Sequence, residues 1–206
     1  MAGSRICRLA EPPRDVRLYK LASQWRRIAE EQAFVGRAGE RGDELGSRVI
    51  AARLVRDLMR MAFLIEGRYA PYPKWFGSAF ARLPCAGELA PRLQRILSAD
   101  AWPEREAALA EACLAMGQLH QRRGLPGAFE PAIGHFFSRK FAVINADEIK
   151  DAIFREIADP ALQSLPIIGA LDQVTDATAV IEAPERARAA MAALLDDGEA
   201  GALEET

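Results

Sequence analysis

Apolar positions recur at helical spacing from near the start of the chain. Leu18, Leu21, Trp25, Ile28 and Ala29 mark one face, and with Asp15 as a plausible cap they predict a first helix to about Val35. Gly36, Gly39 and Gly42 are expected to break it. Asp43 opens a second helix to about Glu66, with an apolar stripe of Leu45, Val49, Ala52, Val55, Met59, Ala62 and Phe63. A short helical stretch is expected near Trp75–Leu83, ended by Pro84. A further helix, Gly87–Leu97, carries Leu89, Leu93, Ile96 and Leu97. Pro103 suits the first turn of the next helix, which runs through Leu109, Cys113 and Met116 to about Arg123. Leu125–Ile144 is irregular, yet Phe136, Phe137, Phe141, Val143 and Ile144 make it too apolar for a linker. It is expected to pack on the helices with one short strand. Asn145 or Asp147 caps a helix through Ile149, Ile153 and Ile157. Leu162–Val180 reads as a packed connection, and Pro184 opens a last helix to about Leu195.

The pattern predicts an all-α fold, an irregular bundle of about six or seven helices with an ordered loop region. Residues 1–13 read as a lead-in, 14–195 as the helical domain and 196–206 as a disordered acidic tail. With 206 residues, half of them hydrophobic, the chain can build one sizeable core. Its apolar runs are too short to span a bilayer and its first residues lack the apolar stretch of a signal peptide, so a cytoplasmic location without membrane association is expected. The net charge is −2 but unevenly spread. Residues 1–74 hold 15 basic and 9 acidic side chains, whereas residues 147–206 hold 4 and 14. A basic front half suits an anionic ligand, or is an ordinary solvated surface.

Three scattered cysteines and two histidines, His120 and His135, show neither a disulfide framework nor metal-ligand spacing. No metal and no cofactor is expected. The chain has no P-loop and no Gly-x-Gly-x-x-Gly. Its Gly-Ser pairs, at Gly3, Gly46 and Gly77, are not followed by the Asp-x-Asp carboxylates with which a nucleotidyltransferase holds magnesium. The unusual segment is Tyr69-Ala-Pro-Tyr-Pro-Lys-Trp75. Pro71 and Pro73 preset its backbone, and Tyr69, Tyr72 and Trp75 offer flat apolar faces with polar tips. Lys74 adds a mobile cation. Just before it, Arg53, Arg56 and Arg60 recur on one helix face, either as a solvated stripe with Asp57 as ion-pair partner or as an anion-binding stripe. Asp172, Gln173 and Asp176 are explained by caps and turn bonds as well as by ligand contacts.

Several motifs occur together in a fixed order: Gln24-Trp-Arg-Arg-Ile-Ala-Glu-Glu31, Ala33-Phe-Val-Gly36, Gly42-Asp-Glu-Leu-Gly46, Ala52-Arg-Leu-Val-Arg-Asp-Leu-Met59, Tyr69–Trp75 and Gly169-Ala-Leu-Asp-Gln173 with Asp176. Over about residues 14–190 the chain resembles a bacterial domain of unknown function, numbered 4037. In that family the helical region usually follows a nucleotidyltransferase-like domain, and the pairing is similar to aminoglycoside nucleotidyltransferases, where a helical domain helps form the substrate cleft. The resemblance implies a substrate-side domain and supplies no catalyst.

The leading expectation is a non-catalytic helical domain that binds a ligand or a partner. Tyr72, Lys74 and Trp75 would face a cleft with Arg53, Arg56 and Arg60 nearby, Trp75 or Tyr69 would stack on a base or sugar, and a nucleotide or other anionic small molecule would be the ligand. A nucleotidyltransferase-like domain is the expected partner, and no specific nucleic acid is expected. Two alternatives stand beside this: the substrate-binding part of an enzyme whose catalytic domain is missing or on a partner, and a purely structural or dimerising domain.

Overall fold

The computed structural model describes residues 12–169 and 177–196. Its elements are α1 (Arg14–Glu31), α2 (Phe34–Glu40), α3 (Glu44–Ile65), a 3-10 turn (Pro73–Trp75) leading into α4 (Phe76–Phe80), α5 (Ala86–Ser98), α6 (Trp102–Arg122), strands β1 (Ile133–His135) and β2 (Ala142–Ile144), α7 (Ala146–Phe154), α8 (Pro160–Gln163), α9 (Thr178–Ile181) and α10 (Pro184–Leu195). The fold is an irregular all-α bundle with one small antiparallel hairpin, in which Ile133 faces Ile144 and His135 faces Ala142. Asp172, Gln173, Asp176 and residues 197–206 lie outside the described residues.

The core forms where α1, α3 and α6 meet, with α7 against α1 and α5 against α6. On α1 the predicted Leu18, Leu21, Trp25 and Ile28 are buried and Ala29 is half-buried; Ala22, not predicted, is buried with them. On α3 it differs. Leu45 and Val49 are exposed, and the buried series is Ser47, Ala51, Leu54, Leu58, Met61 and Ile65. These positions step by four and three residues in alternation, the spacing of a stripe facing two flanking helices. Val55, Ala62 and Phe63 of the predicted stripe are buried too, beside this series, which is why the sequence pattern admitted a stripe shifted around the helix.

The glycines after α1 also act differently from expectation. Gly36 and Gly39 lie inside α2 and do not break a helix. A side chain at Gly36 would sit 2.0 Å from a Glu106 carboxylate oxygen, and one at Gly39 would sit 2.1 Å from Trp102. The small residues let α2 press against α6. The chain turns earlier, at Gln32 and Ala33. There the Gln32 side chain leaves the helix pattern and pairs with β2: its amide donates to the Ile144 carbonyl at 2.9 Å and its oxygen accepts from the Ile144 N–H at 2.8 Å. This buried amide satisfies both backbone groups of a strand edge.

Caps are mixed. Asp43 starts α3 as expected, accepting from the Gly46 N–H at 2.7 Å. Asp15 does not cap α1, which begins at Arg14. Its carboxylate accepts instead from the N–H groups of Ala158 and Asp159, at 2.7 and 2.8 Å, tying the chain before α8 to α1. Asn145 precedes α7 without a side-chain cap and pins the approach to β1, bonding Ala132 N–H and the Glu130 carbonyl. Fully buried Arg105 donates to the Ser47 hydroxyl, the Glu44 carboxylate and the Ala99 carbonyl, locking α6 to the start of α3.

Among the described residues, no helix is long and apolar enough to cross a membrane.

Candidate functional site

The end of α3 sets up the site. Gly67 takes a left-handed φ of 62°, and the Arg68 N–H returns to the Phe63 carbonyl at 2.9 Å. This is the turn that ends a helix on a residue without a Cβ penalty. Arg17 from α1 adds two donors to the last carbonyls, reaching Leu64 at 2.9 Å and Ile65 at 2.6 Å. With α3 stopped there, residues 68–72 run back along it, and Pro73 at the first position of the 3-10 turn redirects the chain into α4. Phe76 anchors the segment by packing its ring 5.5 Å from that of Phe63.

Two cavities open beside this segment. The first, about 240 Å³, lies between α1 and the turn after α3; its polar walls are Arg17, Lys20, Arg60, Arg68 and Tyr69. The second, about 260 Å³, is lined by Arg56, Arg60, Pro71, Tyr72, Pro73, Phe76 and Thr178. Arg60, only 4% exposed, borders both. The described lining of the two cavities holds five basic side chains and no carboxylate. The Lys20 ammonium lies 5.7 Å from the centre of the Tyr69 ring, and the Tyr72 hydroxyl is 3.3 Å from the Thr178 hydroxyl.

The residues singled out from the sequence therefore divide. Arg56, Arg60 and Tyr72 line one cavity, and Tyr69 lines the adjoining one with Arg60. Lys74 and Trp75 line neither; the Lys74 ammonium sits 5.2 Å over the Trp75 ring, which is 58% exposed. Arg53 faces α1, donating to Glu31 at 2.7 Å. Glu31 also meets Arg27 at 2.9 Å, and Arg27 reaches Asp57 at 3.4 Å. Arg53 thus joins a network between α1 and α3, while Arg56 and Arg60 turn toward the cavities. The spacing of these arginines did not reveal that division, because it depends on where α1 and residues 67–76 lie around α3. Arg17, Lys20 and Arg68 were missed; the clustering of basic residues in the front half was their only trace in the sequence.

Other reactive groups have structural surroundings. Burial pushes the thiols of Cys85 and Cys113 up to about 12, far from a nucleophile's range. His120 is buried on α6, its Nε2 paired with the Pro126 carbonyl at 3.0 Å and its ring 5.1 Å from Phe129. Burial holds it below its ordinary value. Burial raises the Glu106 carboxyl. Among the described residues, no group of three or more His, Cys, Asp or Glu is arranged to hold a metal ion.

Residues 4–76 match the family model of a domain of unknown function, DUF4037. The matched stretch includes α1, α2, α3 and the Tyr69–Trp75 segment, and so nearly all of both cavity walls. It ends at Phe76, well short of the residue 190 to which the resemblance was expected to extend. No curated protein and no solved structure matches the chain.

Proposed function

We propose that this protein is a ligand-binding helical domain whose ligand is an anionic small molecule carrying one or more phosphate groups. The observation that supports this most is the pair of adjoining cavities around Arg60, walled by Arg17, Lys20, Arg56 and Arg68 with no carboxylate among their described lining. Low-dielectric walls and charge of one sign concentrate anions. Guanidinium groups match phosphate oxygens in pairs, and a tyrosine face beside them accepts a ring. Each cavity is small beside ordinary ligand pockets of roughly 300–1,000 Å³. A phosphate or diphosphate would fill one, and a nucleotide would span both, its phosphates against Arg60 and Arg68 and its ring against Tyr72. Lys74 and Trp75 would form an outer lip closing on a larger ligand. If the domain works with a nucleotidyltransferase-like domain, as the family resemblance implies, the cleft would hold the substrate side while the partner supplied the magnesium-binding carboxylates.

Isothermal titration with pyrophosphate and with nucleoside triphosphates at low ionic strength tests the reading. Saturable binding is expected, weakened about ten- to a hundredfold by Arg68→Ala or Lys20→Ala, the loss of one charge-assisted contact. These side chains are not in the core, so melting temperatures should stay unchanged. Absence of saturable binding at millimolar ligand, or binding indifferent to both substitutions, would overturn it.

A further inference from the structure

The β1–β2 hairpin carries a second basic and aromatic surface that shares no lining residue with the Arg60 cavities. Phe141 anchors it. That ring is buried beside Gly36 and meets Trp102 edge-on, 6.4 Å between centres. The Phe136 N–H bonds back to the Phe141 carbonyl at 3.0 Å, and the Arg139 N–H to the Phe136 carbonyl at 3.0 Å, so the tip is a closed turn. Within this turn Phe137 has a φ of 52° and is 86% exposed. Among the described residues it alone, apart from glycine, has positive φ. A bulky residue in the left-handed region is strained, and here the strain directs an aromatic ring into solvent. Phe136 supports it edge-on at 4.8 Å, and the Arg37 guanidinium lies over Phe136 and Phe34, 5.9 and 5.3 Å from their centres. Beside the tip is a cleft of about 470 Å³ lined by Glu40, Arg41, Ser138, Arg139, Lys140 and Phe141.

We propose that this hairpin binds single-stranded nucleic acid without sequence preference, one base stacking on Phe137 and the adjoining phosphates lying along Arg41, Arg139 and Lys140. Exposed aromatic faces next to a basic groove are the two components of such binding. The alternatives fit the surface less well. A lone projecting ring, with Phe136 half-buried behind it, offers little apolar area to a lipid bilayer. An acidic peptide would use the cations and leave the strained, projecting ring without a role.

The test uses the full chain and a fluorescein-labelled oligouridylate of about 12 nucleotides, followed by anisotropy. Phe137→Gly removes the ring where glycine adopts the required backbone without strain, so the fold is retained. Binding should weaken about tenfold, the effect of losing one stacked base. The double variant Arg139→Ala, Lys140→Ala should flatten the salt dependence, whose logarithmic slope for three phosphate contacts is about −2. Both results, with melting temperatures not lowered, support the proposal. It is overturned if the wild type fails to bind the oligonucleotide at about 50 mM salt, or if binding is unaffected by both variants. Equal competition by polyglutamate, or Phe137-dependent binding to phosphatidylserine vesicles in place of the oligonucleotide, would overturn it too.

Discussion

Two segments of this protein combine aromatic rings with basic side chains, and they use them differently. In residues 69–76, Tyr69, Tyr72 and Phe76 border the cavities around Arg60, while Lys74 and Trp75 line neither. In the β1–β2 hairpin the anchoring ring is buried and the next aromatic upstream points out: Phe141 is 2% exposed and Phe137 is 86% exposed. Composition does not separate the two. What separates them is the anchor. The first segment is fixed at both ends, by the Gly67 turn with Arg17 at one end and Phe76 against Phe63 at the other. The hairpin is fixed at its base by Gln32, Asn145 and Phe141, leaving its tip free to project.

The largest expected effect breaks the hairpin's anchor. Phe141→Ala should destabilise the protein by about 3–5 kcal/mol, the usual cost of emptying a buried aromatic site. Phe137→Ala should change stability by less than about 0.5 kcal/mol, as surface substitutions do. Chemical denaturation of the two variants measures the contrast; similar losses would mean that the tip is not free.

A smaller effect separates the regions by pH. Beneath the approach to the hairpin, His120 holds the Pro126 carbonyl; at the start of α1, Asp15 holds the Ala158 and Asp159 N–H groups. Burial keeps His120 below its ordinary 6.5, and the two backbone donors keep Asp15 below its ordinary 3.8. In both cases the unfolded chain takes up the proton first as pH falls. The stability each gives is complete above the ordinary value and is lost as pH falls through the folded-state value. Acidification should therefore loosen residues 125–129 first, starting below 6.5, and the Asp15 tether only below 3.8. Amide NMR signals followed across this range report the order, and His120→Phe should remove the first step. Loss of both tethers together would erase the distinction.

Much of this was legible in the chain. Helical spacing located α1, α5, α6 and α7, Asp43 marked the start of α3, and the prolines and tyrosines of residues 69–75 marked a segment of preset backbone. The rest depended on contacts between distant parts of the sequence. Gly36 and Gly39 read locally as breakers, yet their role is set by Trp102 and Glu106 on α6. Gln32 gave no sign of pairing with Ile144, because a side-chain amide bonded to a strand edge leaves no periodic trace. The true stripe of α3 was hidden among apolar residues on two faces. The candidate site was half-visible: Arg56, Arg60, Tyr69 and Tyr72 converge, but the same spacing grouped Arg53 with them, and nothing local assigned Arg17, Lys20 or Arg68 to the same walls.

The small-anion site proposed around Arg60 is separate from the hairpin, whose Arg139 and Lys140 are proposed to take the phosphates of a nucleic-acid strand. Hydrogen–deuterium exchange of the full chain with and without saturating pyrophosphate tests this most directly. Slower exchange confined to residues 60–76 and the adjoining turn of α1, with residues 133–141 unchanged, is the predicted result. Protection appearing at 133–141 while 60–76 stays unchanged, or no protection anywhere at saturating ligand, would contradict it.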